Sequence, residues 1–123
     1  MYKTSNYMLE KKYRLHLQKD FDLVFKTGKY KNLPNFLTLH YLKKDNAELR
    51  IAFILSKKTE KLASKRHLTV RQTRNIIHSL LKDSKIKNGY DLIFIIRANY
   101  TQLGFDQKTE KIKELLQIST LLN

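Results

Sequence analysis

Hydrophobic residues recur at helical spacing in three stretches of this chain. The first stretch ends at Gly28, a natural C-terminal stop, and places Phe21, Val24 and Phe25 on one face. A helix needs one such apolar face to pack against the rest of a domain. The other two predicted helices span roughly residues 63–82 and 105–117.

Strands are predicted between these helices. In residues 35–42 the alternation places Phe36, Thr38 and His40 on one face of a strand. Two further stretches are nearly continuous in apolar residues, which is typical of central strands, and a weaker pattern suits one more strand. These stretches are residues 49–55, 90–97 and, for the weaker pattern, 28–35. A strand on each side of the central helix implies a crossover with parallel pairing, so we expect a single α/β domain.

The central helix carries a basic stripe opposite its apolar back. His67, Arg71, Arg74, His78 and Lys82 are spaced by three or four residues and therefore share one face. The predicted back consists of Ile76, Ile77 and Leu80, with Val70 and Leu81 beside them. A buried back and a continuous basic front are typical of a helix that binds phosphates, although many charged helix faces are simply solvated.

Two starting points for this helix fit the sequence. The apolar spacing allows a start near Ala63, whereas Thr69 and Gln72 match a capping box and favour a later start. The later start would leave Lys65, Arg66 and His67 in the preceding loop. Arg71, Arg74 and His78 share a face in either case.

The charge balance favours a polyanionic partner. The 123 residues include 25 Lys+Arg and 11 Asp+Glu, for a formal net charge of +14. Such an excess is self-repulsive, and nucleic acid relieves it most directly, ahead of an anionic membrane surface. No apolar run approaches the roughly 20 residues that span a bilayer, and no secretory signal is evident, so we expect a cytoplasmic protein without a membrane partner. The absence of cysteine excludes disulfides and thiolate sites.

The sequence offers no catalytic constellation. His67 and His78 would lie about 16 Å apart along a helix, too far for one catalytic centre or one metal. No HExxH motif, carboxylate cluster or glycine-rich phosphate loop is present. We therefore expect no catalytic residue and no metal site on this chain. The histidines are instead expected to extend an RNA surface, by stacking or by donating to phosphate.

Cations and aromatic residues are interleaved, which suits single-stranded nucleic acid. Phe21, Phe25 and Phe36 lie beside basic segments, so bases could stack on them, although for the first two the sequence favours simple core packing. A recognition helix could carry RQTRN, but the predicted strands fit a helix-turn-helix domain badly, and duplex DNA is not expected. The basic segments are residues 26–31, 57–74 and 82–87.

The order of these motifs resembles that of the protein component of bacterial ribonuclease P. The resemblance extends over nearly the whole chain from Arg14. The stretches that carry it are RLHLQKDFDLVFKTGKY, NFLTLHYL, LRIAFILSKK and YDLIFIIR, followed by the C-terminal amphipathic helix. Its most specific pieces are Asp20-Phe21, Val24-Phe25-Lys26, Gly28-Lys29 and Ser56-Lys57-Lys58.

The central motif departs from the family pattern Ala-Val-x-Arg-Asn-Arg-x-Lys-Arg-x-x-Arg. With Ala63 on the family's alanine, Leu68 and Val70 replace two cations of that pattern. The cations that match are Arg66, Arg71 and Arg74. The side chains expected to compensate in part are Lys61, Lys65, His67 and His78.

The resemblance implies an α-β sandwich with the order αβββαβα and a left-handed βαβ crossover. We expect this domain to span residues 13–123, after a flexible arm of residues 1–12 that is polar and basic and has no sustained period. It implies that the crossover helix contacts the catalytic P RNA, and that a cleft between the first helix and the sheet receives the single-stranded 5′ leader of precursor tRNA. The RNA subunit, with Mg²⁺, would carry the hydrolysis. The expected RNA contacts are Arg14, Phe21, Phe25, Lys26, Lys29, Phe36, Ser56, Lys57, Lys58, Lys61, Lys65, Arg66, His67, Arg71, Arg74 and His78.

Three other functions fit parts of the pattern. A basic RNA-binding module of ribosomal or RNA-folding type would explain the charge and the aromatic residues, but not the specific Phe and Ser-Lys-Lys motifs. A self-contained nuclease would depend on His67 or His78 and would act without an RNA subunit. A DNA-binding regulator would prefer duplex DNA to single-stranded RNA.

Overall fold

The chain forms one mixed α/β domain in the expected element order. The structure is a computed structural model that describes residues 11–123, so most of the predicted N-terminal arm, residues 1–10, lies outside the described residues. The order contains one short helix that was not predicted, α3 (Ala98–Thr101). The elements are a 3-10 turn (Lys11–Tyr13), α1 (Gln18–Thr27), β1 (Lys29–Leu33), β2 (Leu37–Lys43), β3 (Leu49–Ile54), α2 (Ala63–Lys82), β4 (Tyr90–Ile96), α3 (Ala98–Thr101) and α4 (Phe105–Ile118).

The four strands form one sheet in the order β1-β2-β4-β3. β1 and β2, and β2 and β4, pair antiparallel, whereas β3 and β4 pair parallel. α2 connects the two parallel strands, so the predicted crossover with parallel pairing is confirmed. The helix that carries the basic stripe is therefore tied at both ends to the sheet.

One face of the sheet is covered by a large apolar cluster. Leu39 of β2, Phe53 of β3 and Phe94 of β4 are fully buried there, together with Ile77 of α2 and Leu116 of α4. The predicted apolar backs of α2 and α4 are confirmed by these contacts. Within residues 11–123, no helix combines the length and apolar character of a membrane span.

The opposite face is only partly covered, by α1. Phe21 and Val24 of α1 pack on Ala52 and Ile93, and all four side chains are buried. Side chains of paired residues form three rows across the strands on this face, and the rows differ in how far α1 covers them. The row Leu42–Asp91–Arg50 lies at the covered end, Tyr30–His40–Ile93–Ala52 in the middle and Asn32–Thr38–Ile95–Ile54 at the open end.

Gly28 ends α1 for a steric reason rather than a conformational one. Its φ of −80° is open to any residue. A Cβ at this position would lie 2.5 Å from the carbonyl oxygen of Tyr41 and 2.6 Å from that of Val24. Only glycine therefore lets the end of α1 approach β2 this closely.

The structure settles the start of the central helix. α2 begins at Ala63, and Thr69 is fully buried in its second turn. The later start at a capping box is therefore wrong. Thr69 lies on the buried back of α2, which tolerates its short side chain. The neighbouring Thr73 is buried there too, and its hydroxyl donates a hydrogen bond to the Thr69 carbonyl.

Candidate nucleic-acid interface

The front of α2 is a basic surface open to solvent. His67, Arg71, His78 and Lys82 are exposed, and Arg74 is half-buried among them. The opposite side of the helix is buried, so the rotation of α2 about its axis is fixed by packing. The predicted stripe therefore forms one surface, which we call the α2 surface.

Two of the predicted RNA contacts on α2 have partners within the chain. The Nζ atom of Lys65 donates to Gln102 Oε1 over 2.6 Å and lies 3.8 Å from Glu60. The guanidinium of Arg66 donates to the backbone carbonyls of Glu60 and Lys61. These two cations hold the start of α2 against neighbouring segments, so their charges contribute to the surface while part of their hydrogen-bonding capacity is used within the chain.

A buried lysine supports α2 from behind. Lys108 of α4 is 2% exposed, and its Nζ donates to Gln72 Oε1 over 2.7 Å and to the Leu103 carbonyl over 2.8 Å. Burial, together with the nearby charge of Lys65, lowers the pKa of Lys108. The contact with Gln72 joins α4 to the helix that presents Arg71.

Tyr100 gives α2 a second buried polar contact. Its hydroxyl lies 2.7 Å from Thr73 Oγ1, and the Lys108 ammonium lies 5.6 Å from its ring centroid. Burial raises the pKa of the Tyr100 phenol. The contacts of Tyr100 with Thr73 and of Lys108 with Gln72 both reach α2 from the part of the chain that follows β4. This part of the chain therefore fixes the position of the basic helix.

The connection between β3 and α2 carries further cations. Lys57, Lys58 and Lys61 are exposed along it. Ser56 turns the chain there, since its Oγ accepts from the Thr59 backbone N–H over 3.2 Å. The two lysines of the Ser-Lys-Lys motif are therefore presented by a hydrogen-bonded turn.

A cleft lies on the open end of the sheet face that α1 leaves uncovered. It has a volume of about 400 Å³ and is open to solvent. Its floor is formed by side chains of β1 and β2, and its end by the residues that follow β4. The lining residues are Tyr30, Asn32, Asn35, Thr38, His40, Arg97, Ala98 and Asn99.

Aromatic rings line the side of the cleft nearest α1. The His40 ring is stacked against Tyr30 at 5.5 Å and meets the edge of Phe25 at 4.7 Å, measured between ring centroids. Burial, together with the charge of Arg97, lowers the pKa of His40. The imidazole is therefore neutral at physiological pH, which suits stacking and hydrogen bonding to a base.

The other side of the cleft is polar. Arg97 Nη2 donates to Thr38 Oγ1 over 3.2 Å, and Thr38 Oγ1 in turn donates to Asn32 Oδ1 over 2.8 Å. The Arg97 side chain carries the only formal positive charge among the lining residues and is exposed. A single nucleic-acid strand can stack on the rings while its phosphate meets this guanidinium.

A charged network fixes α1 at the covered end of the same face. Arg50 donates to both oxygens of Asp91, at 2.9 and 2.8 Å, and to Asp20 of α1 at 3.2 Å. Lys44 lies 3.3 Å from Asp91. The hydrogen bond to Asp91 raises the pKa of Arg50. This network holds α1 at one end of the face, so the other end stays open as the cleft.

The structure places the three phenylalanines expected to contact RNA in three different surroundings. Phe25 lies at the cleft, but Phe21 is 1% exposed and anchors α1 to the sheet. Phe36 packs on the other side, with the cluster under α2 and α4, and the Lys111 ammonium lies 4.4 Å from its ring. The prediction that Phe36 shares a face with Thr38 and His40 is wrong because β2 begins only at Leu37. The alternation therefore does not extend to Phe36.

The remaining predicted contacts lie at scattered points. Arg14 pairs with Ile51 as an isolated bridge beside β3 and is half-buried. Lys26, at the end of α1, and Lys29, on β1, are both exposed. These two cations lie near the edge of the sheet that β1 forms, away from α2.

The cleft contains residues that the sequence reasoning did not select. Tyr30, Thr38 and Arg97 were not predicted as contacts, and His40 was assigned only to a general RNA surface. The alternation in β2 placed Thr38 and His40 on one face, which was the available signal. Nothing local in the sequence indicates that β4 pairs with β2 and so brings Arg97 to this cleft.

The described part of the chain offers no cluster of three or more His, Asp or Glu side chains suited to a metal ion. The carboxylates of Asp20 and Asp91 are hydrogen-bonded to Arg50 instead. The α2 surface is cationic, and the cleft combines aromatic rings with the guanidinium of Arg97.

Comparison with known proteins identifies related sequences along nearly the whole chain. The Ribonuclease P family model matches residues 9–119. The ribonuclease P protein component of Streptococcus agalactiae is 27% identical over 115 residues, covering 93% of this chain and 100% of the relative. That of a Pseudanabaena species is 34% identical over 108 residues, covering 82% and 90%.

Solved structures have the same fold. The RNase P protein of Staphylococcus aureus superposes with a TM-score of 0.79 at 22% identity, covering 92% of this chain and 100% of that one. The RNase P protein of Thermotoga maritima, in complex with 1-(4-fluorophenyl)-2-thiourea, gives a TM-score of 0.73 at 26% identity, covering 84% and 96%.

Proposed function

The chain belongs to the ribonuclease P protein family, and we propose that it is the protein subunit that helps a catalytic RNA remove the 5′ leader from precursor tRNA. The observation that carries this proposal is the presence of two different surfaces on one small domain. One is the cationic α2 surface, and the other is the aromatic cleft beside α1. A protein that joins two RNA partners needs two such surfaces.

The α2 surface is proposed to bind the P RNA. Its exposed cations, among them Arg71 and Lys82, lie on a helix held from behind by Lys108 and Tyr100. A rigid cationic surface suits a structured RNA, since phosphate contacts add affinity without reading sequence. Leu68 occupies a position where the family carries a cation and is 41% exposed, so this surface has fewer charges than the family pattern.

The cleft is proposed to bind the single-stranded leader. The rings of Phe25, Tyr30 and His40 suit unpaired bases, and Arg97 can meet a phosphate. Base stacking on an aromatic side chain is worth about 1–3 kcal/mol and tolerates any base. Leaders of different sequence could therefore share this cleft.

Hydrolysis in this proposal belongs to the RNA subunit, where bound Mg²⁺ would activate water. The protein contributes by position and charge. Arg71 and its neighbours offset phosphate repulsion, and the cleft holds the leader next to the scissile bond. This chain is then an accessory subunit of an endoribonuclease in tRNA maturation, and we propose the cytoplasm as its place of action, in keeping with a chain that lacks cysteine.

The test is cleavage of a precursor tRNA with a 5′ leader at low Mg²⁺ by the protein alone, by a bacterial P RNA alone and by both. We expect cleavage at the mature 5′ end only with both present. Arg71→Ala should weaken assembly with the P RNA, and His40→Ala should weaken leader binding. Lys113→Ala, an exposed lysine on α4, is the matched control and should leave both unchanged.

Two results would contradict the proposal. Cleavage by the protein alone would assign the chemistry to this chain, with His67 or His78 as candidates. RNA binding without any stimulation of the P RNA would leave a general RNA-binding module as the function.

A further inference from the structure

The strand at one edge of the sheet, β1, is unusual in its exposure. Four of its five residues are exposed, from Lys29 to Asn32. Tyr30 is 65% exposed, the largest value among the large hydrophobic side chains of residues 11–123. Among residues 11–123 the strand pairs only with β2, so its other side is a free edge of the described sheet.

The side chains of β1 alternate between the two faces of the sheet. Tyr30 and Asn32 point toward the cleft, where Tyr30 stacks on His40. Lys29 and Lys31 point to the other face, in the rows of Tyr41 and Leu39. The edge therefore joins the aromatic cleft directly to a pair of cations.

A second depression lies behind these cations. It has a volume of about 550 Å³, is open to solvent and is bounded by the end of α4. Within residues 11–123, neither Lys29 nor Lys31 forms an ion pair or donates to a carbonyl of α4 through its side chain. Both ammonium groups are therefore available to an external anion.

We propose that the β1 edge, consisting of Lys29, Tyr30 and Lys31, is a second contact for single-stranded RNA, continuous with the cleft. This inference rests on the proposed function, and it extends the bound segment of the leader to nucleotides beyond those in the cleft. A strand leaving the cleft stacks a base on the exposed ring of Tyr30 and then passes its phosphates over the two lysines. The lysines are two residues apart on an extended strand, about 6.6 Å, which is close enough for neighbouring phosphates.

Lysines also protect sheet edges from pairing with other chains, and that role would need no RNA. An exposed aromatic ring between the lysines works against protection, since it adds an apolar contact to the free edge. The same ring suits stacking of an unpaired base, and the continuity with the cleft gives the base a route to it. RNA binding accounts for both residue types.

The experiment compares two leaders on the assembled complex of protein and P RNA. One leader of about four nucleotides fills only the cleft, and one of about ten nucleotides can reach the edge. Lys29→Ala/Lys31→Ala should weaken binding of the long-leader precursor several-fold and leave the short one unchanged. The slope of log affinity against log salt should fall by about 1.4 for the long leader, which is the loss of two phosphate contacts on a single strand.

The matched control is Lys19→Ala/Lys113→Ala, which removes two exposed lysines outside the basic segments and changes the net charge equally. An equal loss with both leaders, or no loss with the long one, would overturn the proposal. The function proposed above is judged separately, by whether the wild-type protein stimulates cleavage of the short-leader precursor. A positive result there with no leader-length effect would reject the β1 edge alone.

Discussion

The two faces of the sheet use the same strands in opposite ways. On one face, Leu39, Phe53 and Phe94 are fully buried under α2 and α4, and the apolar cluster is continuous. On the other face, α1 covers only part of the sheet, over Ala52 and Ile93, and Tyr30, Thr38 and His40 line the open cleft. The first face forms the core of the domain, and the second leaves the proposed leader cleft open.

The difference between the faces shows how a small domain keeps a cleft open. A single ten-residue helix cannot cover a four-stranded sheet, and its position decides which part stays exposed. The Arg50–Asp91–Asp20 network holds α1 at one end. The ion pairs on this face thus set the position of the cleft. On the other face, hydrophobic packing is what joins α2 and α4 to the sheet.

The largest expected effect comes from breaking that network. Asp91→Asn leaves Arg50 and Lys44 without their buried carboxylate, and Asp91 is 1% exposed. Losing one partner of a buried pair costs about 3–5 kcal/mol, and we expect about 2 kcal/mol here because Arg50 stays partly solvated. Urea unfolding measures this loss. Asp22→Asn on the exposed side of α1 is the control, and an equal cost there would show that the effect is not specific to the network.

The next effect separates two phenylalanines on opposite faces. Phe25→Leu keeps apolar bulk and removes the ring at the cleft, so leader affinity should fall by about 1 kcal/mol, or roughly fivefold. Phe36→Leu makes the same change on the α2 and α4 face, and leader affinity should be unchanged. Fluorescence titration of a leader oligonucleotide on the assembled complex measures both. Equal losses would mean that the two faces are not distinct in leader binding.

A smaller effect concerns the α2 surface. Arg71→Ala should weaken P RNA binding about threefold and lower the salt slope by about 0.9, the value for one phosphate contact on a duplex. The affinity for a free leader oligonucleotide should not change, because the cleft lies on the other side of the sheet. Filter binding over a range of salt concentrations tests this. An unchanged salt slope would place the P RNA contact elsewhere.

The smallest effect is a pH dependence that belongs to the cleft face. The pKa of His40 is lowered in the folded state, so below about pH 6.5 the unfolded chain takes up a proton that the folded chain does not. Stability should therefore fall as the pH drops from about 6.5 toward the folded pKa. Above about pH 6.5, His40 is neutral in both states and should add no pH dependence to the stability. His40→Gln should reduce this acid loss, measured by urea unfolding at about pH 7.5 and about pH 5.5.

The control for that measurement is His16→Gln, an exposed histidine outside the cleft. We expect it to keep the wild-type loss of stability in acid. If His40→Gln also keeps the full loss, another group is responsible and the cleft is not its source.

Much of the fold could be predicted because each element carries a strong local pattern. The apolar spacing in α1, α2 and α4 and the alternation in β2 are visible in the sequence. The basic stripe on α2 followed directly, since helical geometry alone puts Arg71 and His78 on one face. The cleft was harder, because it depends on which strands become neighbours.

Two wrong predictions, at Phe36 and Thr69, show where local sequence patterns fail. Phe36 looked like part of an alternating strand, but the strand starts one residue later, after a turn in which Asn35 has a φ of 70°. Thr69 looked like a helix cap, but it is buried in mid-helix because tertiary packing overrides a local capping signal. Arg97 entered the site only through the pairing of β2 with β4. Local patterns contain no information on that pairing.

The crossover also bears on how the chain folds. Leu49 pairs with Tyr90, so the parallel strands meet only after a loop of about forty residues closes, and the whole of α2 lies within that loop. Closing such a loop is slow, and here it gathers many like charges into a small volume. An RNA that binds only the finished α2 surface shifts the folding equilibrium toward the native state by mass action. Under the proposed function, assembly with RNA and completion of the fold are thermodynamically linked, and the stability of this domain would rise with the RNA concentration around it.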